Sequence, residues 1–182
     1  MTRKNFSVKD HIFNSKDQLF LDANVWLFLY GPQKPDDPKV NIYSEAFSKI
    51  LLAKSTIYID VLVISEFINT YARIEFKMFN KKYTDFKKFR DSLDFKPIAK
   101  KISPLVNRIL SQSVRIDDGF SKIKMIELLN QYSEGKSDFN DQIIIEVCKK
   151  EGLTLITHDG DFHGQGIPLI TANKNLLKSN KN

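Results

Sequence analysis

The chain has 182 residues, 42% of them hydrophobic and 27% charged, with one cysteine. This composition excludes a mainly disordered or fibrous protein, a membrane-spanning segment and an internal disulfide, and fits one domain with a single core in a reducing cytoplasm. The net charge of +6 is local, because Arg73 to Lys101 holds ten basic residues against four acids; this suggests a polyanionic partner, nucleic acid first, beside the plainer reading of a solvated helix face.

Met1 to Phe6 is basic but leads into no apolar stretch, so no secretory signal is expected. Gln18 to Leu21 reads as a short apolar strand ending at Asp22, and the apolar run Asn24 to Tyr30 is stopped by Gly31-Pro32. Val40 to Lys54 has helical spacing, with Ile42, Ala46, Phe47, Ile50 and Leu51 on one face. Thr56 to Asp60 is β-branched and aromatic, a second strand, and Val61 to Phe79 reads as a long helix. Phe76, Phe79, Tyr83, Phe86 and Phe89 recur at three- and four-residue spacing. Interleaved with lysine they resemble a base-stacking platform, but a stripe at helical period is more often core.

Pro97 and Pro104 punctuate the next stretch, Phe120 to Leu129 is helical, and Tyr132 to Ser137 is a loop. Asp138 to Lys150 is a helix closed by Gly152, Leu153 to Thr157 a buried strand, and Ile167 to Ile170 a short last strand. Residues 173–182 read as a frayed polar tail. Strands alternating with helices predict an α/β fold with a mainly parallel sheet, in which ligands gather outside the carboxyl ends of the strands.

The acids fall at those ends. Asp22 ends the first strand, Glu66 lies early in the helix after the second, Asp138 and Asp141 open a later helix, and Asp159 and Asp161 follow the strand after it. Each has a plainer role: Asp138 as an N-cap, Asp159 and Asp161 as turn residues around Gly160, Glu66 as surface. Asp22 is hardest to set aside, since apolar residues flank it on both sides. Two carboxylates 4 Å apart repel by about 4 kcal/mol at an effective dielectric near 20. A cluster therefore raises its own pKa values or requires a cation, and all-oxygen ligands favour Mg²⁺ or Mn²⁺. A basic flank beside such a pocket suits phosphodiester hydrolysis.

Phe20-Leu21-Asp22-Ala23-Asn24-Val25 resembles the opening motif of the PIN domain family, and Ser65-Glu66-Phe67 its second acidic motif. The run from Asp141 to Asp159 resembles its third block: an acid opening a helix, a glycine at the helix end, an apolar strand, then Thr157-His158-Asp159, with Asp161-Phe162 following. The resemblance covers roughly residues 18–72 and 114–172. It implies a single domain over 1–182: a three-layer α/β/α sandwich with a helical insertion at 73–113 that shapes either a substrate groove or an interface. It also implies a Mg²⁺- or Mn²⁺-dependent ribonuclease, with Asp22, Glu66, Asp141 and Asp159 as catalytic metal ligands and Asp138 as a further ligand. Asn24, Ser65 and Asp161 would orient the acids or their loops. Lys81, Lys82, Lys87, Lys88, Arg108 and Arg115 would hold the RNA backbone. Small bacterial members include VapC-like toxins, which implies an antitoxin partner and a homodimer as candidate assemblies, although this chain is longer than the usual toxin.

Two alternatives stay open: a non-catalytic RNA- or protein-binding module on the same fold, and a DNA or flap-type structure-specific nuclease. Other signals are weaker. Gly135-Lys136-Ser137 lacks the first glycine of a P-loop, and Cys148 lies on an apolar helix stripe, where core packing is expected.

Overall fold

Gln18–Leu21, Thr154–Ile156 and Leu169–Thr171 are apolar on both faces, which suits strands covered by helices on either side. The computed structural model describes residues 5–34, 36–79, 82–117, 119–135 and 138–178. In chain order the elements are β1 (Asn5–Ser7), β2 (Gln18–Leu21), α1 (Ala23–Tyr30), α2 (Pro38–Leu52), β3 (Thr56–Ile59) and α3 (Val61–Phe76). They continue with α4 (Phe86–Arg90), α5 (Phe95–Ser111), β4 (Val114–Arg115), α6 (Met125–Ser133), α7 (Phe139–Glu151), β5 (Thr154–Ile156), β6 (Leu169–Thr171) and α8 (Lys174–Lys178). Short 3-10 turns lie at Lys77–Phe79, Phe120–Lys122 and Gly160–Phe162.

The six strands form one sheet in the order β1-β6-β5-β2-β3-β4, and every pair is parallel. With helices on its faces this is the expected α/β/α sandwich. From β2 the chain steps outward to β3 and β4, then returns to place β5 on the other side of β2. The β2/β5 junction is thus a switch point, where the loops leaving two adjacent strands part and open a crevice. Leu19, Phe20 and Leu21 are fully buried there, each contributing about 1.5–3 kcal/mol of transfer free energy. No helix among the described residues is long and apolar enough to cross a membrane.

Several elements depart from what the sequence predicts. Strands β1 and β4 have three and two residues, too few to carry a pattern. On α2 Tyr43 joins Ile50 as a deeply buried side chain, each 1% exposed, whereas Leu51 is 45% exposed. The prolines do not break α5. Pro97 sits in the first turn, where no intrahelical N–H is needed, and Pro104 and Lys100 are exposed, so the carbonyl freed at Lys100 meets water. Helix α6 runs past Tyr132 to Ser133. The stretch after 173 is not simply frayed: α8 docks through Leu176, 1% exposed, whose carbonyl accepts from Asn5 Nδ2 at 2.7 Å. The aromatic stripe packs around fully buried Phe89, which meets Phe76, Phe79, Tyr83, Phe86 and Phe95.

Candidate active site

β2 and β3 each end in an aspartate at the N-cap of the next helix. Asp60, after β3, caps α3 in the usual way, accepting from Val63 N at 2.9 Å. Asp22, after β2, makes no side-chain cap to α1. Its Oδ2 instead accepts from Thr157 Oγ1 at 2.6 Å and from Asn24 Nδ2. Thr157 stands just past β5, so the hydrogen bond crosses the switch point. The backbone ladder extends to the same place, with Asp22 N donating to Ile156 O at 3.0 Å.

Thr157 Oγ1 is a hub. It donates to Asp22 and accepts from Asn24 Nδ2 at 3.1 Å and from Asp159 N at 3.0 Å. Asn24 Oδ1 in turn accepts from His158 N at 3.1 Å. One threonine and one asparagine thereby fix the start of the loop that carries Asp159. Asp159 caps the following 3-10 turn by accepting from Asp161 N at 3.0 Å.

Five carboxylates come together here. Burial pushes Asp22 from 3.8 up to about 7, against the Thr157 hydrogen bond, with Glu66 and Asp159 adding to the rise. Burial likewise raises Asp141 to about 7, reinforced by the charges of Asp22, Asp159, Asp138 and Glu66. Glu66 is raised by its own burial and then by Asp138, Asp159 and Asp60. The charges of Asp22 after β2, Glu66 on α3, Asp138 and Asp141 at the start of α7, and Asp159 after β5 thus act on one another. Asp138 also fills its plainer role, since its Oδ1 accepts from Asn140 N at 2.8 Å and caps α7.

The remaining sequence candidates divide. Asn24 touches Asp22 directly, and Asp161 meets the cluster only through its backbone, ordering the loop while its side chain is exposed. Ser65 is exposed on α3, where its hydroxyl oxygen accepts from Asn69 Nδ2 at 3.3 Å. Lys82 is held by Asp94 and Tyr83, and Lys87 and Lys88 stand exposed on α4. Arg108 lies over the Tyr30 ring at 4.9 Å, and Arg115 is exposed at the end of β4. Lys81 falls outside the described residues. Cys148 is buried and burial pushes its thiol up, which leaves it inert.

The donor set suits Mg²⁺ or Mn²⁺ in kind, being all oxygen and mutually repulsive. Among the described residues, however, no group of three or more His, Cys, Asp or Glu is drawn tightly enough to hold an ion as the side chains stand.

Two residues of the site escape sequence reasoning. Thr157 is visible in the Thr-x-Asp spacing, but nothing in that spacing marks it as a partner of Asp22. Tyr43 falls at helical spacing with Ala46, Phe47 and Ile50, and its phenol reaches the β5 exit: it donates to Thr157 O and meets His158 Nδ1, both at 3.1 Å. Burial and the Lys39 charge hold His158 below its usual value.

In fold, the chain is similar to the crystal structure of PAE2754 from Pyrobaculum aerophilum, with a TM-score of 0.50 and 16% identity over 90% of this chain and 95% of that one. At that identity the likeness concerns the fold alone. No curated protein matches the sequence. A family model described as the PIN domain, a family whose members are generally metal-dependent nucleases, matches residues 19–167. That span runs from Leu19 of β2 past β5 and holds the switch point and all five acids, and the chain belongs to the PIN domain family.

Proposed function

We propose that the protein is a metal-dependent endoribonuclease acting in the cytoplasm. The observation that carries this reading is the gathering of Asp22, Glu66, Asp138, Asp141 and Asp159 at one crevice, two of them raised to about 7. A fold gains nothing in stability from such a cluster, so its presence fits a site that takes up a cation. Asp22, Glu66, Asp141 and Asp159 would hold the ion, with Asp138 beside them. When bound, Mg²⁺ or Mn²⁺ there lowers the pKa of water and offsets charge on a phosphoryl group.

The chain's own residues supply the rest. Asn24 and Thr157 aim Asp22, and the Asp161 backbone steadies Asp159. Lys87 and Lys88 on α4, with Arg115 and Arg108, offer cations for phosphates along a single strand. In this reading RNA is the substrate, and one setting is the toxin of a toxin–antitoxin pair, with a homodimer as its assembly. A small neighbouring reading frame encoding a DNA-binding N-terminus would support that setting.

The test is degradation of total RNA at low salt with Mn²⁺, Mg²⁺ or EDTA, wild type beside Asp141→Asn. Cleavage that needs both metal and Asp141 supports the reading; equal activity of the variant overturns it. Single-stranded and branched DNA run in parallel separate a ribonuclease from a structure-specific DNA nuclease. A second reading, a binding module that does no chemistry, is favoured by the absence of a ready ion-holding group among the described residues. Weak or no Mn²⁺ uptake in a titration would select it.

A further inference from the structure

Tyr43 is a core residue by burial, yet its hydroxyl is wired to three points beyond the strand ends. The Tyr43 ring comes from α2, which starts at its Asp37 cap with Pro38 in the first turn. The ring stacks on Phe28 of α1, 5.3 Å between centroids and 8° between planes, and meets His158 edge-on at 5.8 Å. Its hydroxyl donates to Thr157 O, lies 3.1 Å from His158 Nδ1 and accepts from Ala172 N at 3.1 Å. Thr157 and His158 leave β5, and Ala172 leaves β6.

A phenol has one proton and two acceptor positions. Its proton goes to the Thr157 carbonyl, and the Ala172 N–H, which can only donate, takes one acceptor position. The Thr171 side chain bonds the phenol as well, so the His158 contact donates or accepts according to the tautomer of its ring. His158 is gripped at its other groups too, its N–H by Asn24 Oδ1 and its carbonyl by Asn173 Nδ2 at 2.8 Å. The backbone held this way leads directly to the Thr157 hydroxyl on Asp22 and to the Asp159 amide.

We propose that Tyr43 is a positioning residue: through its hydrogen bonds to Thr157 and His158 it sets the geometry of Asp22 and Asp159 for cation binding. The inference rests on the metal-dependent reading only for its cation arm. It assigns Tyr43 no contact with substrate or reacting atoms.

The first test reads the ¹⁵N shifts of the neutral His158 ring in wild type and in Tyr43→Phe: the Nδ1 shift should change, and an unchanged shift means that no hydrogen bond joins the two side chains and overturns the wiring. The second test compares wild type with Tyr43→Phe, which keeps the ring and removes the hydroxyl. Mn²⁺ affinity measured by paramagnetic resonance should fall about tenfold, the lower end for a group outside the ligand shell. The His158 and Asp159 amides should exchange faster, and kcat should fall with KM for RNA unchanged. Ile50→Val, a trimmed core position on the same helix, should lower the melting temperature without changing affinity or exchange. Tyr43→Phe with unchanged Mn²⁺ affinity and unchanged exchange reduces Tyr43 to core packing and overturns the proposal. A wild type that neither binds Mn²⁺ nor cleaves RNA overturns the nuclease reading instead, and amide exchange then decides on Tyr43 alone.

Discussion

The acids around the crevice and the acids of the α4–α5 region are shifted in opposite directions. Asp85 is held below the usual carboxylate range by the backbone amides of Lys88 and Lys87, and Asp94 by hydrogen bonds from Lys82 and Tyr83. Both are capping or pairing acids at the surface, and their charge is met on the spot. Asp22, Glu66 and Asp141 are raised, chiefly by burial and then by one another. The same residue types thus serve the fold in one region and oppose it in the other. The basic arm carries its excess charge in water at little cost, over an aromatic cluster centred on Phe89. The crevice holds Asp22, and in part Glu66 and Asp141, out of water, where their charge destabilises the protein until a counterion arrives.

The sharpest way to break this contrast is Asp141→Asn. Cleavage should fall at least a hundredfold, about the upper end of what a ligand's supporting partner costs, while the metal-free protein melts at a higher temperature above neutral pH. A variant that loses both activity and stability would mean that Asp141 is structural.

The next effect is pH dependence. Asp22 and Asp141 have folded values above their unfolded ones, so their contribution to stability is complete below about 4 and is lost as pH rises through about 7. The metal-free protein should lose roughly 5 °C or more between pH 5 and pH 8, read by calorimetry. Added Mn²⁺ should recover more of that loss at pH 8 than at pH 5. Asp85 and Asp94 have the reverse sign, and their smaller contribution is lost only as pH falls below the usual carboxylate range.

Lys87→Ala with Lys88→Ala probes the other region. RNA binding should weaken several-fold, and the slope of log affinity against log salt should shrink by about 0.7 for each phosphate of a single strand that is no longer neutralised. The cleavage rate at saturating RNA should hold. The smallest effect belongs to Ser65→Ala, whose stability should stay within about 0.5 kcal/mol of wild type and whose Mn²⁺ affinity should not move.

The strands that meet at the switch point are legible because their runs are apolar on both faces, and Asp22 stands out as a polar residue inside such a run. Asp141 and Asp159 are legible from a helix, a Gly152 stop and a strand in fixed order; Gly152 takes a left-handed φ of 68° that glycine tolerates freely. Strands as short as Val114–Arg115 leave no period to read. Tyr43 is hidden because burial and hydrogen bonding are decided by opposite ends of its side chain, and hydropathy patterning sees only the ring. The prolines of α5 mislead because a missing N–H costs little where the partner carbonyl faces water.

The docking of α8 has a mechanical consequence. Asn173 opens that helix, its Oδ1 accepting from Asn175 N, while its Nδ2 holds the His158 carbonyl. Leu176, one turn on, is gripped by Asn5 of the outermost strand. Load applied to the edge of the sheet can therefore travel along a single turn of helix into the loop that bears Asp159. Cutting the chain before Asn173 would slacken that loop, although the cut lies outside every acidic motif in the sequence.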